Sequence, residues 1–71
     1  MNGFKRARLI RGLTQAEEAR GLGVSTVTVC KWEQGLGLPK AKRLPEIARF
    51  LQTTVQDLLN DEGRQADGAA S

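Results

Sequence analysis

The stretch at residues 23–35, GVSTVTVCKWEQG, decides the fold, because it contains a short helix together with both of its end signals. Gly23 can adopt the left-handed conformation that ends a preceding helix. Ser25 is a preferred N-cap residue, whose side-chain oxygen accepts a hydrogen bond from an amide in the first turn. Gly35 then ends the segment, so the sequence predicts a helix over residues 26–34.

This predicted helix has two faces of different character. Val29, Trp32 and Glu33 share one face by the i, i+3, i+4 spacing, and we expect Val29 and Trp32 to pack in the core. The opposite face carries a methyl-bearing side chain, a thiol, a cation and an amide, which suits contact with a ligand surface better than packing. Its members are Val27, Cys30, Lys31 and Gln34. The segment is therefore a candidate DNA-recognition helix.

The composition limits the class of protein. A chain of 71 residues makes one small domain, and its single cysteine, Cys30, cannot form an internal disulfide, which favours a reducing compartment. The chain has no histidine and no cluster with metal-ligand spacing, which argues against a structural zinc. We expect no metal and no cofactor. No apolar run reaches the roughly 18 residues of a membrane span, and no signal-peptide pattern opens the chain. We therefore expect a cytoplasmic protein with no membrane partner and no small-molecule substrate.

The charge is unevenly distributed along the chain. Residues 1–60 contain ten Lys and Arg against five Asp and Glu, a net charge of +5, whereas residues 61–71 have a net charge of −2. A basic body favours a polyanionic partner, although an excess of this size is also found on ordinary solvated surfaces. The composition is thus consistent with nucleic-acid binding and does not establish it.

Two helices are predicted before the recognition segment. The first spans about residues 3–11, with Lys5 and Arg6 on its outer side and Phe4, Ala7 and Arg8 on its buried side. In the second, over about residues 15–21, Thr14 and Glu17 form a capping box. Its predicted buried residues are Ala16, Ala19 and Leu22. Two short helices joined by a glycine-containing turn fit a helix-turn-helix, and also an ordinary αα-hairpin.

Two more helices are predicted after a loop over residues 35–43. Pro45 is tolerated only in a first turn, so we expect the fourth helix to begin at about residues 42–44. Its apolar face consists of Leu44, Ile47, Ala48 and Leu51. Thr54 caps a fifth helix over about residues 55–60, in which Val55, Leu58 and Leu59 should face inward. Residues 61–71 lack periodicity and are predicted to be a disordered tail.

At this point the chain resembles the lambda-repressor and Cro-like helix-turn-helix family of phage and bacterial regulators. The matching elements are Arg8, Gly12-Leu13-Thr14-Gln15, Ala19, Leu22-Gly23-Val24-Ser25, Val29, Trp32-Glu33, Gly35, Pro39, Leu44, Ile47-Ala48, Leu51 and the helix at 55–59. The resemblance implies an all-α, compact five-helix domain over residues 1–60 that binds operator DNA, usually as a symmetric dimer. It also implies a prokaryotic or phage-encoded protein.

The resemblance assigns roles to individual positions. It places Thr26, Val27 and Lys31 against base edges, and Cys30 lies on the same face; Val27 is a candidate for contact with a thymine methyl group. It implies that Gln15 contacts a phosphate and braces the first residue of the recognition helix. Further phosphate contacts are predicted for Thr28, Gln34, Lys40, Lys42 and Arg43, the last three being equally readable as a solubilising run. Arg8 and Glu33 are expected to form a structural ion pair.

Departures from the family pattern carry separate expectations. Glu18 stands where the family commonly has a buried apolar residue. Because a free buried carboxylate is costly, we expect Glu18 to reach solvent along its stem or to pair with a cation. Leu36 and Leu38 make the loop after the recognition helix unusually apolar, which predicts a subunit contact that also involves Thr53.

The sequence thus predicts a non-enzymatic, sequence-specific DNA-binding transcriptional regulator, Cro-like or repressor-like, that forms a weak dimer stabilised on operator DNA. No nucleophile–base pair or phosphate-cradling glycine loop indicates an enzyme. One alternative keeps the fold and makes the chain an antitoxin or accessory subunit whose main partner is another protein. A second alternative is a purely structural helical module.

Overall fold

The computed structural model describes residues 2–60 as a bundle of short helices, which confirms the predicted all-α class. In chain order they are α1 (Gly3–Ile10), α2 (Gln15–Leu22), α3 (Thr26–Gln34), a 3-10 turn (Ala41–Arg43), α4 (Leu44–Phe50) and α5 (Val55–Leu59). The predicted tail at 61–71 lies outside the described residues. Within residues 2–60, no helix combines the length and the apolar character needed to cross a membrane.

The ends of α2 and α3 follow from local side-chain and glycine chemistry. The Thr14 hydroxyl accepts a hydrogen bond from the Glu17 amide at 3.0 Å, and the Glu17 carboxylate accepts one from the Thr14 amide at 2.8 Å. Gly23 ends α2 with φ of 72°, a conformation that costs glycine nothing. Ser25 caps α3, which spans the same residues as the predicted recognition helix. The turn between α2 and α3 is therefore specified locally, by Gly23 at the end of α2 and Ser25 at the start of α3.

The start of α1 is fixed by contacts with distant parts of the chain. The Asn2 side chain caps α1 by accepting from the Lys5 amide at 3.0 Å, while its Nδ2 donates to the backbone oxygen of Trp32 at 2.7 Å. Gly3 crosses α5 so closely that a Cβ at this position would lie 1.9 Å from the backbone oxygen of Asp57. Only glycine fits at this crossing of α1 and α5.

The core lies where all five helices meet. The Phe4 and Trp32 rings pack at a centroid distance of 5.8 Å and an interplanar angle of 40°. The expected burial of Val29 and Trp32 is confirmed. Leu13, Val24, Leu44 and Val55 pack against this centre from the side. The buried apolar residues are Phe4, Ala7, Ala19, Leu22, Val29, Trp32, Ile47, Ala48, Leu51 and Leu58.

Three burial predictions are wrong. Ala16 is exposed, because the buried face of α2 consists of Glu18, Ala19 and Leu22, and Ala16 points away from it. Leu59 is 49% exposed, since its neighbour Leu58 points into the core and α5 is too short to bury both. Arg6 is half-buried rather than on the outside, and its guanidinium donates to the backbone of α5 at 3.4 Å.

Pro45 and Gln52 determine where α4 begins and where the chain turns after it. Pro45 lies in the first turn of α4, where its missing amide breaks no helical hydrogen bond. After α4 the chain reverses at Gln52, whose φ of 56° is in the left-handed region. The Thr53 amide then donates to the backbone oxygen of Ala48 at 2.8 Å. This arrangement closes the end of α4 as a glycine would, but with a side chain present.

Candidate nucleic-acid interface

The outer face of α3 is accessible along its whole length. Val27 is 63% exposed, and Thr26, Lys31 and Gln34 are also exposed, while Cys30 is half-buried between them. The i, i+3, i+4 and i+7 spacing of Val27, Cys30, Lys31 and Gln34 brings the four onto one stripe. This stripe can therefore lie against a flat surface or enter a concave one, such as the major groove of DNA.

The inner side of α3 is tied to α1 by an ion pair. Arg8 Nε donates to Glu33 Oε2 at 2.6 Å, and Arg8 Nη2 donates to Glu33 Oε1 at 3.0 Å. The third Arg8 nitrogen, Nη1, donates to the backbone oxygen of Leu13 at 2.9 Å. Hydrogen bonding to Glu33 raises the pKa of Arg8, and the Glu33 side chain is only 3% exposed. This fork-shaped contact fixes the rotation of α3 relative to α1.

The same carboxylate also receives a hydrogen bond from α2. Gln15 Nε2 donates to Glu33 Oε1 at 3.0 Å. The expectation that Gln15 braces the first residue of α3 is therefore wrong, since its amide reaches the last turn of the helix, where Glu33 offers a stronger, charged acceptor. Gln15 remains half-buried at the start of α2. Its contact with a phosphate stays a prediction.

Glu18 is the unexpected member of this region. Its side chain is fully buried, and none of the described residues hydrogen-bonds either of its carboxyl oxygens. Both expectations for it, solvent exposure and pairing with a cation, are wrong, because Arg8 is already committed to Glu33 and Leu13. Burial, and secondly the negative charge of Glu33, raise the pKa of Glu18 to about 7, while Arg8 opposes the rise.

The predicted phosphate contacts fall into two groups. Gln34, Lys40 and Lys42 are exposed and available to a ligand. The side chains of Gln15, Thr28 and Arg43 instead make hydrogen bonds within the protein. Thr28 Oγ1 lies 2.9 Å from Ser25 Oγ at the start of α3. Arg43 Nη2 donates to the backbone oxygen of Leu22 at 2.9 Å, and Arg43 Nε donates to Glu46 at 3.3 Å.

An apolar surface lies at the C-terminal end of α3. Leu36 and Leu38, in the loop after α3, are 69% and 67% exposed. Leu38 also lines a cavity of about 350 Å³, together with Asn2, Phe4, Trp32, Gly35, Leu58, Leu59 and Asn60. Thr53, the third residue predicted for a subunit contact, is half-buried and donates to the Asp57 carboxylate at 3.3 Å.

Sequence reasoning missed two contacts that shape this region. Asn2 was identifiable as an N-cap from its residue type and its position before an apolar-periodic segment. Its second contact, with the Trp32 backbone, had no local signal. The Arg43–Leu22 contact joins residues 21 positions apart and likewise had none.

A capped helix, a glycine turn and a second helix with an anchored inner side and an accessible outer stripe together define a helix-turn-helix protein. A family model described as helix-turn-helix matches residues 4–58. The chain belongs to this family, and the resemblance to the regulators of the lambda-repressor and Cro-like group is confirmed.

Two curated relatives are similar over most of the chain. The HTH-type transcriptional activator BcrR of Enterococcus faecalis is 36% identical over 59 residues, which cover 83% of this chain and 29% of BcrR. The cryptic phage CTXphi transcriptional repressor RstR of Vibrio cholerae is 32% identical over 60 residues, covering 84% of this chain and 54% of RstR. The chain thus spans only 29% and 54% of the lengths of these two relatives. No solved structure matches significantly.

Proposed function

We propose that this protein binds double-stranded DNA sequence-specifically, with α3 lying in the major groove. The observation that supports this most directly is the contrast between the two sides of α3. Val29 is fully buried while Val27, two residues earlier, is 63% exposed. A short helix with one side buried in the core and the other side exposed meets the geometric requirement for insertion into a DNA groove.

Within this proposal, the candidate contact residues form two groups according to the part of the DNA that each can reach. Thr26, Val27, Cys30 and Lys31 are the candidates for base edges, and the methyl groups of Val27 suit a thymine methyl. Gln34, Lys40 and Lys42, together with Gln15 and Thr28, are the candidates for phosphates, which set the register and carry no sequence information. The two hydrogen bonds between Arg8 and Glu33 would keep the outer stripe of α3 in one orientation.

The test begins with selection of bound sites from random duplexes, followed by titrations of variants against the selected site and its single-base changes. Lys31→Ala should change the preference at one position per half-site by about 1–3 kcal/mol. Val27→Ala should relax the preference for thymine by less, and Lys5→Ala, at an exposed position of α1, should change neither preference. A wild-type protein that binds every duplex equally would overturn sequence-specific binding.

We further propose that two copies bind a pseudo-palindromic operator, with half-site centres about 34–36 Å apart. One short helix contacts few base pairs, so useful specificity requires a second copy. The exposed side chains of Leu36 and Leu38, the latter lining the cavity, offer the apolar surface for this contact, and Thr53 in the α4–α5 turn is the third candidate. The stoichiometry at saturation tests it, since one chain per full operator contradicts the dimer.

As to the biological effect, we propose repression of transcription in the cytoplasm by occupation of an operator, without a cofactor or catalytic step. One relative is named an activator and the other a repressor, and the chain covers the larger share of the repressor. A reporter gene placed behind the selected operator decides the sign. Expression should fall when the protein is produced, and a rise would make the protein an activator.

A further inference from the structure

Arg43 differs from its basic neighbours in what its side chain does. Lys40 and Lys42 are exposed, whereas the Arg43 side chain is only 32% exposed. Its Nη2 donates to the backbone oxygen of Leu22 at 2.9 Å, and its guanidinium also contacts the Glu46 carboxylate at 3.3 and 3.4 Å. The guanidinium is thus held between the end of α2 and the first turn of α4.

The Leu22 oxygen is an acceptor that the helix itself leaves open. At the end of α2, the Gly23 amide donates to the Arg20 oxygen at 3.4 Å and the Val24 amide donates to the Ala19 oxygen at 3.0 Å. The oxygen of Leu22, the last residue of α2, lies beyond these bonds and needs a partner from elsewhere. Arg43 supplies that partner and so joins the helix-turn-helix turn to the 3-10 turn at Ala41–Arg43.

We propose that Arg43 is a positioning residue for DNA binding and not itself a phosphate contact. By holding the 3-10 turn against the end of α2, Arg43 fixes where Lys40 and Lys42 stand relative to α3. The inference rests on the proposed DNA binding, and it replaces the phosphate role that the sequence predicts for Arg43. The fork of the guanidinium matters here, because one side chain must reach a carbonyl and a carboxylate in different directions at once.

The first measurement uses the free protein, so that its result does not depend on DNA binding. The carbonyl ¹³C chemical shift of Leu22 should change in Arg43→Ala, because the oxygen loses its charged donor. Lys42→Ala is the matched control and should leave that shift at its wild-type value. An unchanged Leu22 shift in folded Arg43→Ala overturns the anchor, whether or not the protein binds DNA.

The second measurement is a double-mutant cycle on duplex DNA at several salt concentrations. If Arg43 positions Lys42, then Lys42→Ala should weaken binding at least about threefold less in the Arg43→Ala background than in the wild type. Independent phosphate contacts would instead give additive losses, with each variant lowering the slope of log K against log salt by about one. Additive losses therefore overturn the positioning role while leaving the proposed DNA binding intact.

A conservative variant keeps the test valid if Arg43→Ala folds poorly. Arg43→Lys retains the positive charge and a donor but loses the fork. If Arg43 is a positioning residue, Arg43→Lys should show the same changed Leu22 shift and the same weakened coupling to Lys42 that are expected for Arg43→Ala. Recovery of wild-type affinity and salt slope by lysine would assign Arg43 to a phosphate instead.

Discussion

Replacing Glu18 with leucine should stabilise the protein near neutral pH. Glu18 is completely buried, and both of its carboxyl oxygens are without a hydrogen-bond partner among residues 2–60. Leucine has a comparable volume and can occupy this buried position without the cost of desolvating a carboxylate. The substitution leaves the neighbouring contacts of Arg8 with Glu33 and Leu13 in place, since none of them uses Glu18.

The magnitude follows from the pKa of Glu18, which rises from its usual 4.5 to about 7 in the folded protein. At 1.36 kcal/mol for each tenfold change in proton affinity, the ionised form opposes folding by about 3 kcal/mol. For a domain whose free energy of unfolding is on the order of 5 kcal/mol, this effect is large. The leucine variant should recover most of that free energy at pH 7 and above.

The direction of the pH dependence follows from the raised pKa. Between pH 4.5 and about 7 the folded state keeps a proton that the unfolded state has lost, so the contribution of Glu18 to stability declines as the pH rises through this window. Above about pH 7 both states are ionised, and the contribution levels off. Glu18→Gln, which is neutral at every pH, should lack this component.

Urea unfolding followed by the fluorescence of Trp32 measures the effect, because Trp32 is the single tryptophan and is buried. Unfolding is measured from pH 4 to 8 for the wild type, Glu18→Leu and Glu18→Gln. Subtracting the glutamine curve from the wild-type curve removes the contributions of all other titrating groups. A difference that stays constant across this range would falsify the buried, neutral Glu18.

Three further predictions concern stability, each measured by the same urea titration. Gly3→Ala should cost about 2 kcal/mol or more, because its Cβ would meet backbone oxygens of α5 at 1.9 and 2.5 Å. Gly37→Ala, which meets nothing within 4 Å, is its control and should be near neutral; equal losses in the two variants would contradict the close crossing. Arg8→Met should lower the free energy of unfolding by about 3–5 kcal/mol, because it leaves the buried Glu33 carboxylate without its cation. Lys5→Met, at an exposed position, is the control and should change the free energy of unfolding by less than about 0.5 kcal/mol. Similar urea midpoints for the two variants would argue against the ion pair. Gln52→Gly should gain up to about 1 kcal/mol by relieving a φ of 56°, and a loss would show that the Gln52 side chain contributes more than its strain costs.

Most of the helical framework was predictable because its signals are local. The capping box of Thr14 and Glu17, the N-cap at Ser25 and the glycines that end α2 and α3 each act over a few residues. Pro45 likewise limits where α4 can begin. A reader of the sequence needs no knowledge of the rest of the molecule to interpret such signals.

The outer stripe of α3 was also readable, because Val29 and Trp32 fix the rotation of the helix by their hydrophobicity alone. The same reasoning failed on α2, where Ala16 was predicted to be buried and Glu18 was expected to reach solvent or to pair with a cation. Residue type favoured the alanine, but the packing of α3 and α4 against α2 placed Glu18 inside and left Ala16 exposed. Periodicity gives a helix its faces, and only the surrounding helices decide which face is covered when the hydrophobic signal is weak.

The sequence by itself therefore determined the order of the helices, their ends and the accessible side of α3. The tertiary structure alone decided the partners of the polar side chains, since Gln15 contacts a residue 18 positions away and Arg43 one 21 positions away. A side chain's donors are known from its type, but its acceptor depends on which backbone and carboxyl oxygens the fold brings within about 3 Å. For the same reason, the sequence could name Arg43 as basic, and only the fold shows that its charge is turned inward, onto the end of α2.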